Sequence, residues 1–172
     1  MGDLGDDTAV QGADGRYTST LSPDWEIWGP AGGYLAAVAL RAAGVHTGFP
    51  RPASLVGHFL GVATFAPVDL EVTTLRSARR AESMRVGLTQ EGRPVFEALV
   101  WAVASLDGLT HDTSRPPAAP PPAEVPTARE RMAAAGAEPE VEHPFWQNLE
   151  ERPLDWIDDW MGRSGQPATH SC

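Results

Sequence analysis

Cysteine is almost absent from this chain of 172 residues, and the single one is the last residue, Cys172. One cysteine cannot form an internal disulfide, and no Cys/His group in the sequence has the spacing of metal ligands. Lysine is missing altogether, so the 13 basic residues are all arginines, against 23 acidic residues. The net charge of −10 argues against nucleic acid or an anionic membrane as a partner, because phosphate binding requires a basic face.

Two kinds of apolar segment are missing as well. The chain starts with MGDLGDDTAVQG, which is acidic and polar, whereas a secretory signal has a basic start followed by an apolar stretch. No apolar run reaches the ~18 residues that a transmembrane helix needs. These absences predict a protein of the reducing cytoplasm that does not span a membrane.

The residues that are present predict one folded domain over 16–107. RYTSTLS alternates and predicts a first strand. GYLAAVALRAAG predicts a helix that ends at Gly44, and this helix is apolar on most faces, which is typical of a buried helix. A mostly apolar strand follows in 53–65, and the segment 67–105 predicts three more. The last two of these form a hairpin around the turn QEGR.

The remaining parts of the chain have a different composition. Residues 1–15 are acidic and Gly-rich, so we expect a flexible N-terminus. Residues 108–143 are rich in Pro and Ala and predict an extended linker, with helical potential only in TARERMAAAG. Residues 144–172 combine an acidic aromatic segment with an end that has no periodic pattern.

One long buried helix against a strongly bent antiparallel sheet is an α+β arrangement, in which the sheet wraps the helix. The sequence therefore predicts the hotdog fold. Three segments also resemble the acyl-CoA thioesterase II (TesB-like) family, namely GGYLAAVALRAAG, the meander from RPASLVGHFL to FEALVWAV, and PFWQNLEERPLDW.

This resemblance has implications for both organisation and activity. Proteins of the family usually carry two hotdog units in one chain, so the resemblance implies a first unit, a linker, and a truncated second unit, or a tail, at 144–172. On that interpretation Trp146, Trp156 and Trp160 are packing residues of the second unit. The implied activity is hydrolysis of fatty acyl-CoA by activated water, with coenzyme A as part of the substrate and no further cofactor.

Gly32 and Gly33, which open the predicted helix, are candidates for binding the thioester oxygen. Glycine lets the backbone approach a ligand closely, and the first N–H groups of a helix have no partner within it. The helix dipole also favours an oxyanion at this end. Tight packing of the helix against the sheet is the alternative explanation for the two glycines.

Three side chains are candidates for handling the water. In the family an Asp, a Thr and a Gln hold the water, and the Gln lies in a TQ-G turn of the second unit. The turn at 89–92 of this chain matches that turn, but within the first unit, and this match makes Gln90 a candidate. The predicted helix has only Ala and Val where the family's Asp would stand, so Asp24, just before the helix, and His58 are the others. The alternative for Gln90 is a polar residue on the hairpin surface, the alternative for Asp24 is a favourable charge at the helix start, and the alternative for His58 is a structural histidine.

An arginine group in the meander is a candidate for contacting the phosphates of coenzyme A; it comprises Arg76, Arg79, Arg80 and Arg85. A solvated strand edge that discourages aggregation is the competing interpretation.

Three functions follow from these residues. The first is an acyl-CoA thioesterase, inactive if the truncated chain lacks essential groups. The second is a non-catalytic hotdog unit that binds acyl groups or pairs with another hotdog subunit, most simply as a homodimer, because an isolated unit leaves a sheet edge exposed. The third is an acidic interaction protein that acts through its Pro-rich stretch, which a linker explains more simply.

Overall fold

The computed structural model describes residues 1–105, 107–109, 111–116, 118–137 and 143–154. The chain forms two compact units. The first contains Met1–Gly108 together with His143–Asn148, and the second contains Leu109–Glu142 and Leu149–Cys172.

The described part of the first unit contains a long helix and one antiparallel sheet. The strands lie in the order β1-β2-β4-β5-β6-β3. The elements are α1 (Leu4–Asp7), β1 (Gln11–Ala13), β2 (Arg16–Thr20), α2 (Gly32–His46), β3 (Arg51–Phe59), β4 (Pro67–Ser77), β5 (Ala81–Gln90) and β6 (Arg93–Val103), with 3₁₀ turns at Pro23–Trp25 and Pro144–Asn148.

The core lies between α2 and one face of this sheet. Alternate residues of β4, β5 and β6 are buried, as the period of a strand requires when one face meets the core. The buried side chains of α2 are Tyr34, Leu35, Val38, Ala39, Ala42 and Ala43. Because small residues dominate this surface, the bent sheet can approach the helix closely. The predicted α+β hotdog fold is confirmed.

The β5–β6 connection is the tight turn predicted from QEGR. Glu91 and Gly92 both have positive φ, at 51° and 75°, which matches the right-handed twist of the two strands. The helix prediction needs a correction at its end, since α2 passes through Gly44 and ends at His46. The N–H of Thr47 donates to the carbonyl of Ala43 and completes the last turn without a glycine.

The N-terminal segment 1–15, expected to be flexible, contains α1 and β1 instead. The Asp3 carboxylate caps α1 by accepting from two of its N–H groups. The Asp7 carboxylate accepts from Trp25 Nε1 at 2.9 Å, and the Asp7 carbonyl accepts from the Tyr34 hydroxyl at 2.7 Å. These contacts join residues 18 and 27 positions apart, so local composition could not reveal them.

The described part of the second unit contains the helix α3 (Ala128–Ala134) and a 3₁₀ turn at Pro122–Glu124. Helix formation in the predicted TARERMAAAG segment is confirmed. It is favoured by a capping box, in which the Thr127 hydroxyl accepts from the Glu130 N–H and the Glu130 carboxylate accepts from the Thr127 N–H. Trp156, Trp160 and Cys172, named above, lie outside the described residues.

Candidate active site

Helix α2 begins with two backbone donors that have no acceptor in the part of the chain that the structure describes. Its N-cap, Ala31, provides no side-chain cap, and the N–H groups of Tyr34 and Leu35 both donate to the Ala31 carbonyl. Across the described residues, no acceptor pairs with the N–H groups of Gly32 and Gly33. Two adjacent donors at the positive end of a 15-residue helix form a site suited to a carbonyl oxygen or an oxyanion.

The two glycines have different surroundings. A Cβ at Gly32 would lie 2.9 Å from Cζ of Phe59, so this glycine makes room for the aromatic ring at the end of β3. A Cβ at Gly33 would meet no atom within 4 Å, and Gly33 is exposed. Tight packing therefore accounts for the glycine at position 32, whereas position 33 opens to solvent and can admit a ligand to the backbone.

Exposed apolar side chains occur in the loop before this helix start and at the end of β3. Trp28, in the loop before α2, is 90% exposed, and Phe59 and Leu60 at the end of β3 are exposed by more than half. The two loops approach each other, because a Cβ at Gly29 would lie 3.8 Å from the carbonyl oxygen of Ala63. Exposed apolar side chains in these two loops are available to contact an apolar ligand or a second protein surface.

Gln90 holds the loop between β3 and β4. Its Oε1 accepts from the Thr64 N–H at 2.8 Å and from the Thr64 hydroxyl at 3.1 Å. Its Nε2 donates to the Thr64 carbonyl at 3.1 Å, with longer approaches to the carbonyls of Pro67 and Ala66. Both ends of the side-chain amide are thus engaged with the loop, and its role in holding a water stays a prediction.

Asp24 lies before α2, as the sequence suggested, in the 3₁₀ turn Pro23–Trp25, and its described contacts are with the chain N-terminus and with Asn148. Its Oδ2 lies 3.6 Å from the Met1 amino group, and its carbonyl accepts from Asn148 Nδ2 at 2.7 Å. His58 is an exposed residue of β3 and lies opposite Glu97 of β6. Its neighbour Phe59 faces α2, so His58 points to the other face of the sheet and cannot act at the helix start of its own unit.

Three of the candidate arginines lie near the other end of α2. Arg76 is the last residue but one of β4, and Arg79 and Arg80 lie in the connection to β5. The neighbouring Thr74 contacts Nε2 of His46, the last residue of α2, at 3.1 Å. A 15-residue helix is ~21 Å long, so these arginines do not join the two glycines in one site of this unit.

Arg85 belongs to a separate groove on the outer face of the sheet. The groove has a volume of about 830 Å³ and has charged residues of both signs on its walls, which are Arg16, Asp69, Glu71, Arg85 and Glu97. Gly87 lies on its floor, where the missing side chain leaves open space.

Sequence reasoning did not identify Thr64, Phe59 or Asn148. Thr64 and Gln90 are 26 residues apart, and Asn148 and Asp24 are 124 apart, so no local pattern connects them. An aromatic residue that ends a strand just before an apolar loop was the signal available for Phe59.

Within the described residues, no group of three or more His, Cys, Asp or Glu side chains has a geometry that could hold a metal ion. The helices described here include none that is long and apolar enough to cross a membrane.

The bent sheet, the buried helix and its open start are those of a hotdog protein. Residues 21–103 match the family model of the acyl-CoA thioesterase N-terminal domain. No curated protein matches the chain.

Solved structures show the same fold at low sequence identity. A conserved hot dog fold protein of unknown function from Alicyclobacillus acidocaldarius has a TM-score of 0.76 and 24% identity, over 88% of this chain and 55% of its own. The acyl-CoA thioesterase II TesB2 of Mycobacterium marinum has a TM-score of 0.66 and 18% identity, over 94% and 57%. The tesB protein of Mycobacterium avium subs paratuberculosis has a TM-score of 0.57 and 23% identity, over 91% and 64%. The chain thus spans 55 to 64% of the length of these proteins.

Proposed function

We propose that this protein hydrolyses fatty acyl-CoA thioesters, with the N–H groups of Gly32 and Gly33 holding the thioester oxygen. The observation that carries this proposal is the pair of donors at the start of α2 that have no acceptor among the described residues, in a segment that matches the acyl-CoA thioesterase N-terminal domain family. Charge develops on the thioester oxygen in the transition state, and donors already in place stabilise it without reorganisation.

The reaction needs water but no covalent protein intermediate. The water oxygen bonds to the thioester carbon, a proton leaves that water, and the carbonyl becomes an oxyanion facing the two N–H groups. The carbon–sulfur bond then breaks, the coenzyme A sulfur takes up a proton, and the free acid remains. The exposed apolar side chains of Trp28 and Phe59 would contact the acyl chain.

The group that accepts the water's proton is missing from α2 of this unit. Residues Gly32–His46 contain no Asp or Glu, and the Gln90 amide is engaged with the loop at Thr64. The proton acceptor would then be a side chain of a second hotdog unit; in a second copy of this chain it would have to lie outside α2, because every copy has the same helix. Strand β3 pairs with β6 on one side, and in the described structure its other edge has no partner strand, so a second copy or another hotdog subunit can pair there.

A non-catalytic unit that binds acyl groups, or only pairs with another hotdog subunit, is the second candidate. The same observation favours it, namely the lack of a carboxylate on α2. Contact with the coenzyme A phosphates by Arg76, Arg79 and Arg80, and a cytoplasmic location, remain predictions from the sequence.

Release of free thiol from acyl-CoAs of several chain lengths tests the two candidates. The purified chain is expected to release thiol from at least one substrate at a rate proportional to protein concentration. Binding of acyl-CoA by calorimetry without thiol release would select the non-catalytic unit. A folded chain that neither binds nor cleaves acyl-CoA would contradict both acyl-CoA candidates.

A further inference from the structure

The segment His143–Asn148, here called the clasp, belongs to the first unit although the Pro/Ala segment separates it from the sheet in sequence. At its end, the Asn148 side chain connects two distant points of that unit. Its Oδ1 accepts from the Gly2 N–H at 2.7 Å, and its Nδ2 donates to the Asp24 carbonyl at 2.7 Å. One carboxamide thus uses both of its ends, each in a short hydrogen bond of good length.

The clasp makes a second connection to the same loop through Phe145. The Phe145 N–H donates to the Glu26 carbonyl at 3.1 Å. The Phe145 ring packs edge-on against Trp25 at 6.1 Å, and Trp25 in turn stacks on Tyr34 at 5.7 Å. Tyr34 is the third residue of α2, so the clasp is packed through two aromatic contacts onto the first turn of the helix.

The loop that the clasp holds leads directly into the two glycines. The Trp25 carbonyl accepts from the N–H of the N-cap Ala31 at 2.9 Å, and the Ile27 N–H donates to the Gly29 carbonyl at 3.1 Å. Glu26 and Pro30 pair as an isolated bridge. Hydrogen bonds that fix the backbone at Asp24 and Glu26 therefore also fix the position of Ala31, the residue that directly precedes the helix.

Glycines have no side chain with which to hold their own position, and they have the greatest conformational freedom of all residues. The geometry points to Asn148 as a positioning residue: we propose that its bond to the Asp24 carbonyl sets the position of the Gly32 and Gly33 N–H groups. This inference rests on the proposed function, because the N–H groups matter only if they hold a thioester oxygen. Misplacing such donors by ~1 Å lowers a catalytic rate by up to ~100-fold.

The test compares Asn148→Ala and Asn148→Asp with the control Gln147→Ala, all in the full chain. Gln147 is exposed in the same clasp. An aspartate keeps an acceptor for the Gly2 N–H but has no donor for the Asp24 carbonyl. Both Asn148 variants are expected to lower kcat by ~10-fold or more and to leave KM within about twofold, because donors used in the transition state are displaced. Circular dichroism checks that each variant is folded, and the aspartate variant carries the test if the alanine variant does not fold.

Amide hydrogen exchange gives a readout that does not depend on activity. In both Asn148 variants the N–H groups of Ile27 and Ala31 should exchange faster than in the wild type, and in Gln147→Ala they should not. Unchanged kcat and unchanged exchange in the Asn148 variants would overturn the proposal, and so would a fall in kcat equal to that of Gln147→Ala. If the wild-type chain cleaves no thioester, the proposed function fails, and the exchange rates alone decide whether Asn148 positions this loop.

Discussion

Replacing Gln90 with alanine separates a structural role from a catalytic one. Its amide makes three hydrogen bonds to Thr64 at 3.1 Å or less, two through Oε1 and one through Nε2. At ~0.5–1.5 kcal/mol each, and taking the lower half of that range because the site is partly exposed, Gln90→Ala should cost about 2 kcal/mol of unfolding free energy. For a unit of this size that corresponds to a fall in Tm on the order of 10 °C.

Thermal and urea unfolding of matched variants measure this cost. Gln11→Ala is the control, because Gln11 is an exposed glutamine in β1, and the described contacts include no hydrogen bond of its side chain. Gln90→Glu keeps the acceptor for Thr64 but cannot donate to the carbonyls of the loop, so this variant should also lose free energy of unfolding relative to the wild type. If Gln90→Ala unfolds like the wild type while it abolishes thiol release, the loop-holding role is wrong and the amide handles the water.

Two further changes test the packing of the core and of Tyr34. Gly57→Ala would put a Cβ 2.2 Å from the ring of the buried Phe96, so it should lower the free energy of unfolding by ~1–3 kcal/mol. Gly87→Ala is the control, because its Cβ would meet no atom within 4 Å, and it should unfold at or above the wild-type urea midpoint. Equal urea midpoints for the two variants would contradict this packing. Burial, with the Asp7 charge adding to it, raises the pKa of Tyr34. The stability from this pKa shift is therefore complete below pH ~10 and is lost as pH rises through the folded pKa. Urea unfolding between pH 8 and 11.5 should show this fall, and Tyr34→Phe should reduce it; an identical pH profile would refute the assignment.

The fold could be predicted because its signals are local. The alternation in β4, the turn at Glu91–Gly92 and the apolar surface of α2 each depend on residues within a few positions of one another. The end of α2 was predicted two residues too early because a glycine such as Gly44 does not always end a helix. His46, where α2 ends, contacts Tyr17 and Thr74, which are 29 and 28 residues away in sequence.

The candidate site was predicted less completely, for the same reason. The position of Gly32 and Gly33 at the start of α2 could be predicted because the glycines directly precede the apolar run of the helix. The surroundings of Gln90, and the face of the sheet on which His58 lies, depend on how distant segments come together. The motif TQEG predicted a turn next to Gln90 but could not reveal that the Gln90 amide is engaged with the loop at Thr64.

Thiol release by a matched pair of Gly33 variants tests the central claim most directly. Gly33→Ala and Gly33→Pro both add a Cβ where there is open space, but only proline removes the N–H that is proposed to hold the oxyanion. Proline is tolerated in the first turn of a helix, and circular dichroism and Tm check that both variants fold. The account predicts that Gly33→Pro lowers kcat for acyl-CoA hydrolysis ~100- to 1,000-fold relative to Gly33→Ala. Equal kcat values for the two folded variants would contradict it.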